Sequence, residues 1–272
     1  MTKSNPLIVT VAPNGARKTK KDHPGLPITP EELAEEGYAC QQAGASMIHL
    51  HVRDDQDTHS LDVGRYRAAM AAVHEKCGDQ MLIQVTTEAV GLYSAEEQMA
   101  VIRALKPQSA SLAIRELVPS GQEDRAREFF QELTEENTLP HYILYSDEDL
   151  ARFNHLVDQG VIPQENAFLL FVLGRYSDGQ VSSPADLLPF LNAMTKKLPW
   201  SVCAFGPLEH AAASAAVAMG GHVRVGFENN LFLKTGEIAP GNADLVAQIG
   251  EVSRAIGRPL ASANEVRSLI GG

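Results

Sequence analysis

Cysteine is scarce in this chain: three residues in 272, Cys40, Cys77 and Cys203, far apart and odd in number. They offer no disulfide framework and no CxxC metal knuckle. They point to a reducing compartment in which all three serve as small core residues. Positive charge is also short, with 23 Lys and Arg against 34 Asp and Glu and a net charge of -11. The basic footprint of a nucleic-acid binder is therefore missing, although a local basic pocket for a small anion can sit inside an acidic protein. No apolar run is long enough to span a bilayer, and Met1 to Pro6 is polar, without the apolar segment of a secretory signal. The expectation is a cytoplasmic protein with neither nucleic acid nor membrane as partner. A glycine-rich fingerprint in the first strand-to-helix turn is absent too, which weighs against a doubly wound dinucleotide-binding sheet.

What is present is a repeat of short apolar strands and amphipathic helices. The strands are read at 7–12, 48–54, 81–86, 109–114, 141–145, 167–173, 200–204 and 222–225. The helices between them carry clear start signals. Thr29-Pro30-Glu31-Glu32 combines an N-cap, a first-position proline and a capping-box glutamate. Ser94 with Glu97 and Ser183-Pro184 repeat parts of that pattern. The strands lack the alternation of a half-solvated sheet, as expected when both faces are covered. Eight strand-then-helix units with no linker predict a single (β/α)₈ TIM barrel over 1–272, with a short C-terminal extension.

A barrel places its site at the C-terminal ends of the strands. That rule selects Asn14 and Arg17 after the first strand, and His49, His51, Arg53 and Asp54 at the second. It adds Thr86 and Glu88, then Ser111, Arg115 and Glu116, then Arg175, Glu209 and His210. Arg224, Glu228 and Asn229 come from the eighth. Strand residues two apart share a face, so His49 and His51 project together. They are either two ordinary strand histidines or half of a metal site. In a closed barrel strand eight returns beside strands one and two, which lets Glu228 approach them. Two imidazoles, a carboxylate and an open position make a catalytic divalent-metal set, zinc first. The facial triad of non-haem Fe(II) enzymes fits the same spacing. His59, His74, His141, His155 and His210 read as surface or capping histidines, and His222 as structural. Trp200 reads as core, and the acidic run 132–136 as a solvated helix face.

Four segments carry a family resemblance: Val-Ala-Pro-Asn-Gly-Ala (11–16), Leu-Pro-Ile-Thr-Pro-Glu-Glu (26–32), Ala-Gly-Ala-Ser-Met-Ile-His-Leu-His-Val-Arg-Asp (43–54) and Gly-Gly-His-Val-Arg-Val-Gly-Phe-Glu-Asn-Asn (220–230). Together they resemble the β-keto acid cleavage enzymes, whose founding activity is 3-keto-5-aminohexanoate cleavage. The resemblance runs nearly end to end. It implies a homo-oligomeric barrel, dimer or tetramer, with one zinc held by His49, His51 and Glu228. It also implies a reaction of a β-keto acid with acetyl-CoA that gives acetoacetate and a new acyl-CoA.

This chain departs from the family at several positions. The family's base is an aspartate paired with an arginine. The arginine matches Arg224, but the aspartate position is Asn229, and an amide cannot serve as a base. Glu88 and Glu209 are the candidate replacements. The family residue that reads the substrate's amino group is a glutamate, matched here by Arg17. A guanidinium there favours an anionic or neutral tail, unless Arg17 turns to solvent or meets CoA phosphates with Lys18 and Lys20. Asn14, Thr86 and Ser111 are further substrate-contacting candidates, and Arg115 and Glu116 remodel one wall. Two rivals stay open: a zinc-dependent aldolase or hydrolase needing no CoA, and a metal- and ligand-binding paralogue without turnover.

Overall fold

The computed structural model describes residues 5–269; the expectations for Met1 to Ser4 and for the end of the tail, 270–272, lie outside them. Eight strands close into one parallel barrel: β1 (Val9–Val11), β2 (Met47–Leu50), β3 (Leu82–Thr86), β4 (Ser109–Ala113), β5 (Leu139–Leu144), β6 (Phe168–Leu173), β7 (Trp200–Ala204) and β8 (His222–Val225). Each strand pairs with its neighbours in sequence, and β1 closes the ring by pairing with β8 as well as β2. The helices follow as the capping signals require. α1 (Pro30–Ala43) opens on Thr29, whose side chain accepts from Glu32 N, and ends on Gly44 at φ 113°. α3 (Ala95–Leu105) opens on the box formed by Ser94 and Glu97. The ring of helices is completed by α2 (Val63–Cys77), α4 (Glu123–Glu135), α5 (Asp147–Asp158), α6 (Leu187–Ala193), α7 (Glu209–Ala218) and α8 (Asn242–Ala255).

The strands do alternate, but between two buried faces. Val9, Val11, Ile48, Leu50, Val85 and Leu112 point outward into one apolar cluster shared with the helices. The barrel interior carries the other set. Ile8, Met47, Leu82, Leu139 and Phe168 fill its lower end, closed from below by Ala261 and Val266. Ala113, Ile143, Leu170, Val172, Cys203 and Phe205 line its upper part. Between those layers lie buried polar side chains: Gln84, Ser109, Ser111, His141 and Ser201. The run of apolar letters thus hid a polar inner layer, in which Gln84, Ser109 and Ser201 bond to one another or to backbone, while Ser111 Oγ and His141 Nε2 find no partner among the described residues. Gln84 Nε2 donates to Ser109 Oγ at 3.1 Å, and Ser109 Oγ donates to Leu139 O at 2.9 Å. His141 is buried and stacked on Phe168 with centroids 4.1 Å apart, so the surface reading for it was incorrect.

β2 is shorter than expected. The ladder stops at Leu50, and Val52–Arg53 turns away to pair antiparallel with His59–Ser60 in a small hairpin over the barrel mouth. This hairpin buries His59 to 3% exposure, against the expectation of a surface histidine. A buried Arg53 ties the hairpin to the first loop: its Nε donates to Gly15 O at 3.1 Å and its Nη2 to Lys18 O at 2.9 Å.

Candidate active site

Two glycines bring the end of β8 against the end of β1. Gly226 has φ 139°, and a Cβ there would lie 2.4 Å from Ala12 O; Gly15 has φ 64°, and a Cβ there would lie 2.5 Å from Glu228 Cγ. Only glycine allows both this backbone conformation and this approach. Glu228 N then donates to Ala12 O at 3.0 Å, which fixes the glutamate over the mouth of the barrel.

There it meets the two histidines. His49 Nε2 and His51 Nε2 lie 3.1 Å apart, and Glu228 Oε2 is 3.5 Å from the first and 3.3 Å from the second. All three side chains are buried or nearly so. The outer nitrogens define the tautomers. His49 Nδ1 is 2.8 Å from Gln84 Oε1, and Gln84 Nε2 is already donating to Ser109, so His49 carries its proton on Nδ1. His59 Nε2 is 2.8 Å from the carbonyl of Glu88 and must donate to it. His59 Nδ1 is then an acceptor, facing His51 Nδ1 at 3.4 Å. Both Nε2 lone pairs therefore point at Glu228 Oε2, which has no hydrogen-bond partner among the described residues. Three acceptors facing one another in this way form a group that could hold a cation.

The spacing suits a metal ion. A tetrahedral ion bonded at about 2.0–2.1 Å separates its ligand atoms by roughly 3.3 Å, within 0.2 Å of each observed separation. Protonation also fits a neutral-imidazole metal site. Burial and then Arg224 push the His49 pKa well down. Burial alone would raise the Glu228 carboxyl, but Arg224 and the two imidazoles hold it well below the usual carboxylate range. Arg224 Nη2 reaches Glu228 Oε1 at 3.0 Å, which keeps that oxygen turned away from the cluster. Outer partners of this kind orient ligands and tune the ion they hold.

Two adjoining cavities open onto the cluster. The outer one, about 290 Å³, is lined among others by Asn14, Arg17, Lys18, Glu88, Arg175 and Glu228. The inner one, about 20 Å³, is lined by His49, Thr86, Glu88, Arg175, Arg224 and Glu228, with apolar residues above. Arg17 sits exposed at the rim. Lys18 reaches inward and donates to Glu228 O at 2.7 Å, and burial lowers its pKa. Lys20 is occupied outside by Glu32.

The remaining candidates are not brought to this space. Ser111 is fully buried two residues before the end of β4 and lines neither cavity. After Ala113 the chain turns at once into a short helix, Ile114–Leu117. That turn swings Arg115 onto Asp149 at 2.8 Å and Glu116 onto Ala89 N at 3.1 Å, so neither forms the expected wall. Glu209 is buried beneath the β8 loop. Its oxygens accept from Gly226 N (3.2 Å), Asn229 Nδ2 (3.4 Å) and Asn230 Nδ2 (3.2 Å), and burial pushes its pKa up to about 8. Asn229 is 3% exposed and accepts from Arg224 Nη2 at 3.3 Å. The residues the sequence reading undervalued are His59 and Arg175. The signal available for the second was its place at the end of a barrel strand.

Residues 6–271 match the model of the beta-keto acid cleavage enzyme family. A 3-keto-5-aminohexanoate cleavage enzyme of Fusobacterium nucleatum subsp. nucleatum is 33% identical over 97% of both chains. A 3-oxoadipate:acetyl-CoA acetyltransferase of Cupriavidus necator is 28% identical over 98% of this chain and 95% of its own. Among solved structures, apo ObcA superposes with a TM-score of 0.74 at 18% identity, over 91% of this chain and 66% of ObcA. That likeness concerns the barrel fold alone.

Proposed function

The chain belongs to the beta-keto acid cleavage enzyme family, and from that premise we propose that it transfers CoA from acetyl-CoA to the acyl part of a β-keto acid, releasing acetoacetate. Its relatives are cleavage enzymes and acetyl-CoA transferases, so the reaction class is C–C cleavage with acyl transfer. The observation that carries the reading is the convergence of His49 Nε2, His51 Nε2 and Glu228 Oε2 with no donor among them, at the edge of a cavity.

His49, His51 and Glu228 would hold a divalent ion, zinc being the first choice for two imidazoles and a carboxylate with an open position. When bound, that ion supplies Lewis-acid charge for the oxygens of the keto acid. The protein groups do the rest. Arg224 keeps Glu228 oriented, and Thr86 and Asn14 flank the space a keto acid would enter, Asn14 with an Oδ1 that has no partner among the described residues. Arg17, exposed at the rim, offers its guanidinium to the substrate tail, which favours one that is anionic or neutral over an ammonium.

The test is a coupled assay on zinc-quantified protein with 3-oxoadipate, 3-oxohexanoate and 3-keto-5-aminohexanoate, each with and without acetyl-CoA. Acetoacetate that forms only with acetyl-CoA, and least from the amino acid, is the expected result. Cleavage without CoA would make it an aldolase or hydrolase instead. Ligand binding without turnover would mark a silent paralogue.

A further inference from the structure

The proposed reaction needs a group that takes a proton from the carbon between the two carbonyls of the keto acid. Six ionisable side chains line the inner cavity: His49, Glu88, Tyr145, Arg175, Arg224 and Glu228. His49 and Glu228 point their free lone pairs at each other and at His51. The two arginines carry no acceptor. Burial holds the Tyr145 hydroxyl well above its ordinary range. Glu209 and Asn229 line neither cavity, and an amide accepts no proton. Glu88 is the one carboxylate left.

Its setting suits the task. The backbone of Glu88 is pinned on both sides: its N–H donates to Thr86 Oγ1 at 3.1 Å, and its carbonyl accepts from His59 Nε2 at 2.8 Å. Its Oε1 lies 3.3 Å from Arg175 Nη2. Among the described residues, no hydrogen bond engages Oε2. Arg175 is itself fixed over the Phe205 ring, 5.1 Å from the centroid. Glu88 and Arg175 both line the outer cavity as well as the inner one, so they stand where a ligand passes from one to the other.

We propose that Glu88 is the general base of this enzyme and that Arg175 is the residue that positions it. The assignment rests on the reaction given above. Glu88 takes a proton from C2 of the keto acid. The carbanion forms a bond from C2 to the acetyl carbon of acetyl-CoA, and CoA leaves as thiolate. The thiolate attacks the original keto carbon, the C2–C3 bond breaks, and the new acyl-CoA separates from the C2 carbanion of acetoacetate. Glu88 returns the proton to that carbon, so no proton is consumed.

The experiment compares wild type with Glu88→Gln and Glu88→Ala, all zinc-loaded, on the three acids named above. General acid–base contributions are of the order of 10²–10⁴-fold, so Glu88→Gln should lose that much kcat. Its KM and its one zinc per chain should be kept. Formate should restore part of the activity of Glu88→Ala and none of that of Glu88→Gln. Arg175→Lys should retain more kcat than Arg175→Met. A Glu88→Gln enzyme within tenfold of wild type at full zinc would overturn the assignment, as would a loss confined to KM or to zinc content. A wild type inactive on all three acids would overturn the assigned reaction along with it.

Discussion

Gln84 and His59 both stand behind a metal-directed imidazole, and replacing each should produce a different defect. Gln84 Oε1 accepts from His49 Nδ1 at 2.8 Å and lies within a hydrogen-bonded chain through Ser109 to the β5 backbone. Gln84→Leu keeps the volume near constant, removes the acceptor, and leaves a buried Nδ1–H without a partner. Outer partners of histidine ligands are worth 10–100-fold in metal affinity, or roughly 1.4–2.7 kcal/mol. His59 sits farther from its imidazole, 3.4 Å from His51 Nδ1, so its contribution to affinity should be nearer tenfold or less. Its other nitrogen holds the Glu88 carbonyl, and His59→Leu also releases the loop that carries Glu88.

Zinc affinity is read by chelator competition, and turnover is then repeated at saturating zinc. Gln84→Leu should bind zinc at least tenfold more weakly and recover most of its kcat when saturated. His59→Leu should bind zinc with a smaller loss yet stay slow at saturation. Equal zinc affinity in wild type and Gln84→Leu would refute the reasoning, because the acceptor would then not be fixing the ligand tautomer.

Gly15→Ala should lose zinc without losing the fold. Its φ of 64° costs a residue with a side chain about 1–2 kcal/mol, and its Cβ would push on Glu228 Cγ; metal content against circular dichroism separates the two effects. Burial depresses the pKa of His141 and of His222 to about 3 in the folded state. A depressed pKa gives stability that is present above the unfolded value near 6.5 and lost as pH falls toward the folded one. Each histidine should therefore contribute a slope of about 1.4 kcal/mol per pH unit below 6.5. His141→Phe, which can keep the stack on Phe168, should remove its share in denaturant titrations at pH 4–6. Arg17→Glu should lower kcat/KM for 3-oxoadipate and raise it for 3-keto-5-aminohexanoate. Arg17 is exposed, so screening limits the shift to about tenfold in each direction.

The barrel was legible because its signals are local. Capping residues such as Thr29 and Ser94 mark where helices start, and short apolar runs mark strands, whatever the rest of the chain does. The convergence of His49, His51 and Glu228 was legible for a topological reason: once eight units close, β1 pairs with both β8 and β2, so the ends of those two strands lie one strand apart. What could not be read was which face of each strand was apolar. Outward residues meet helices and inward residues meet one another, and both are buried, so a strand such as 82–86, Leu-Ile-Gln-Val-Thr, gives no exposure contrast. Its alternation becomes visible only when Gln84 is seen facing His49.

The failures at Arg115, Glu116 and His59 share a different cause. Each lies beyond the point where a barrel strand gives way to another element, Arg115 and Glu116 by two and three residues and His59 by nine, and there the strand's two-residue period no longer predicts direction. Ala113 hands over to a helix, and a helix turns about 100° per residue, which sends Arg115 to Asp149 and Glu116 to the Ala89 loop. His51 hands over to a hairpin, which brings His59 back eight residues later onto the imidazole it supports. The same reversal gives Glu88 its place, since the hairpin's histidine is what grips that loop. The extension at the end of β2 thus couples the metal-directed histidines to the carboxylate assigned as base. A substitution in the hairpin should therefore disturb ion and base together, while one in the polar inner layer, such as Gln84→Leu, should disturb the ion alone.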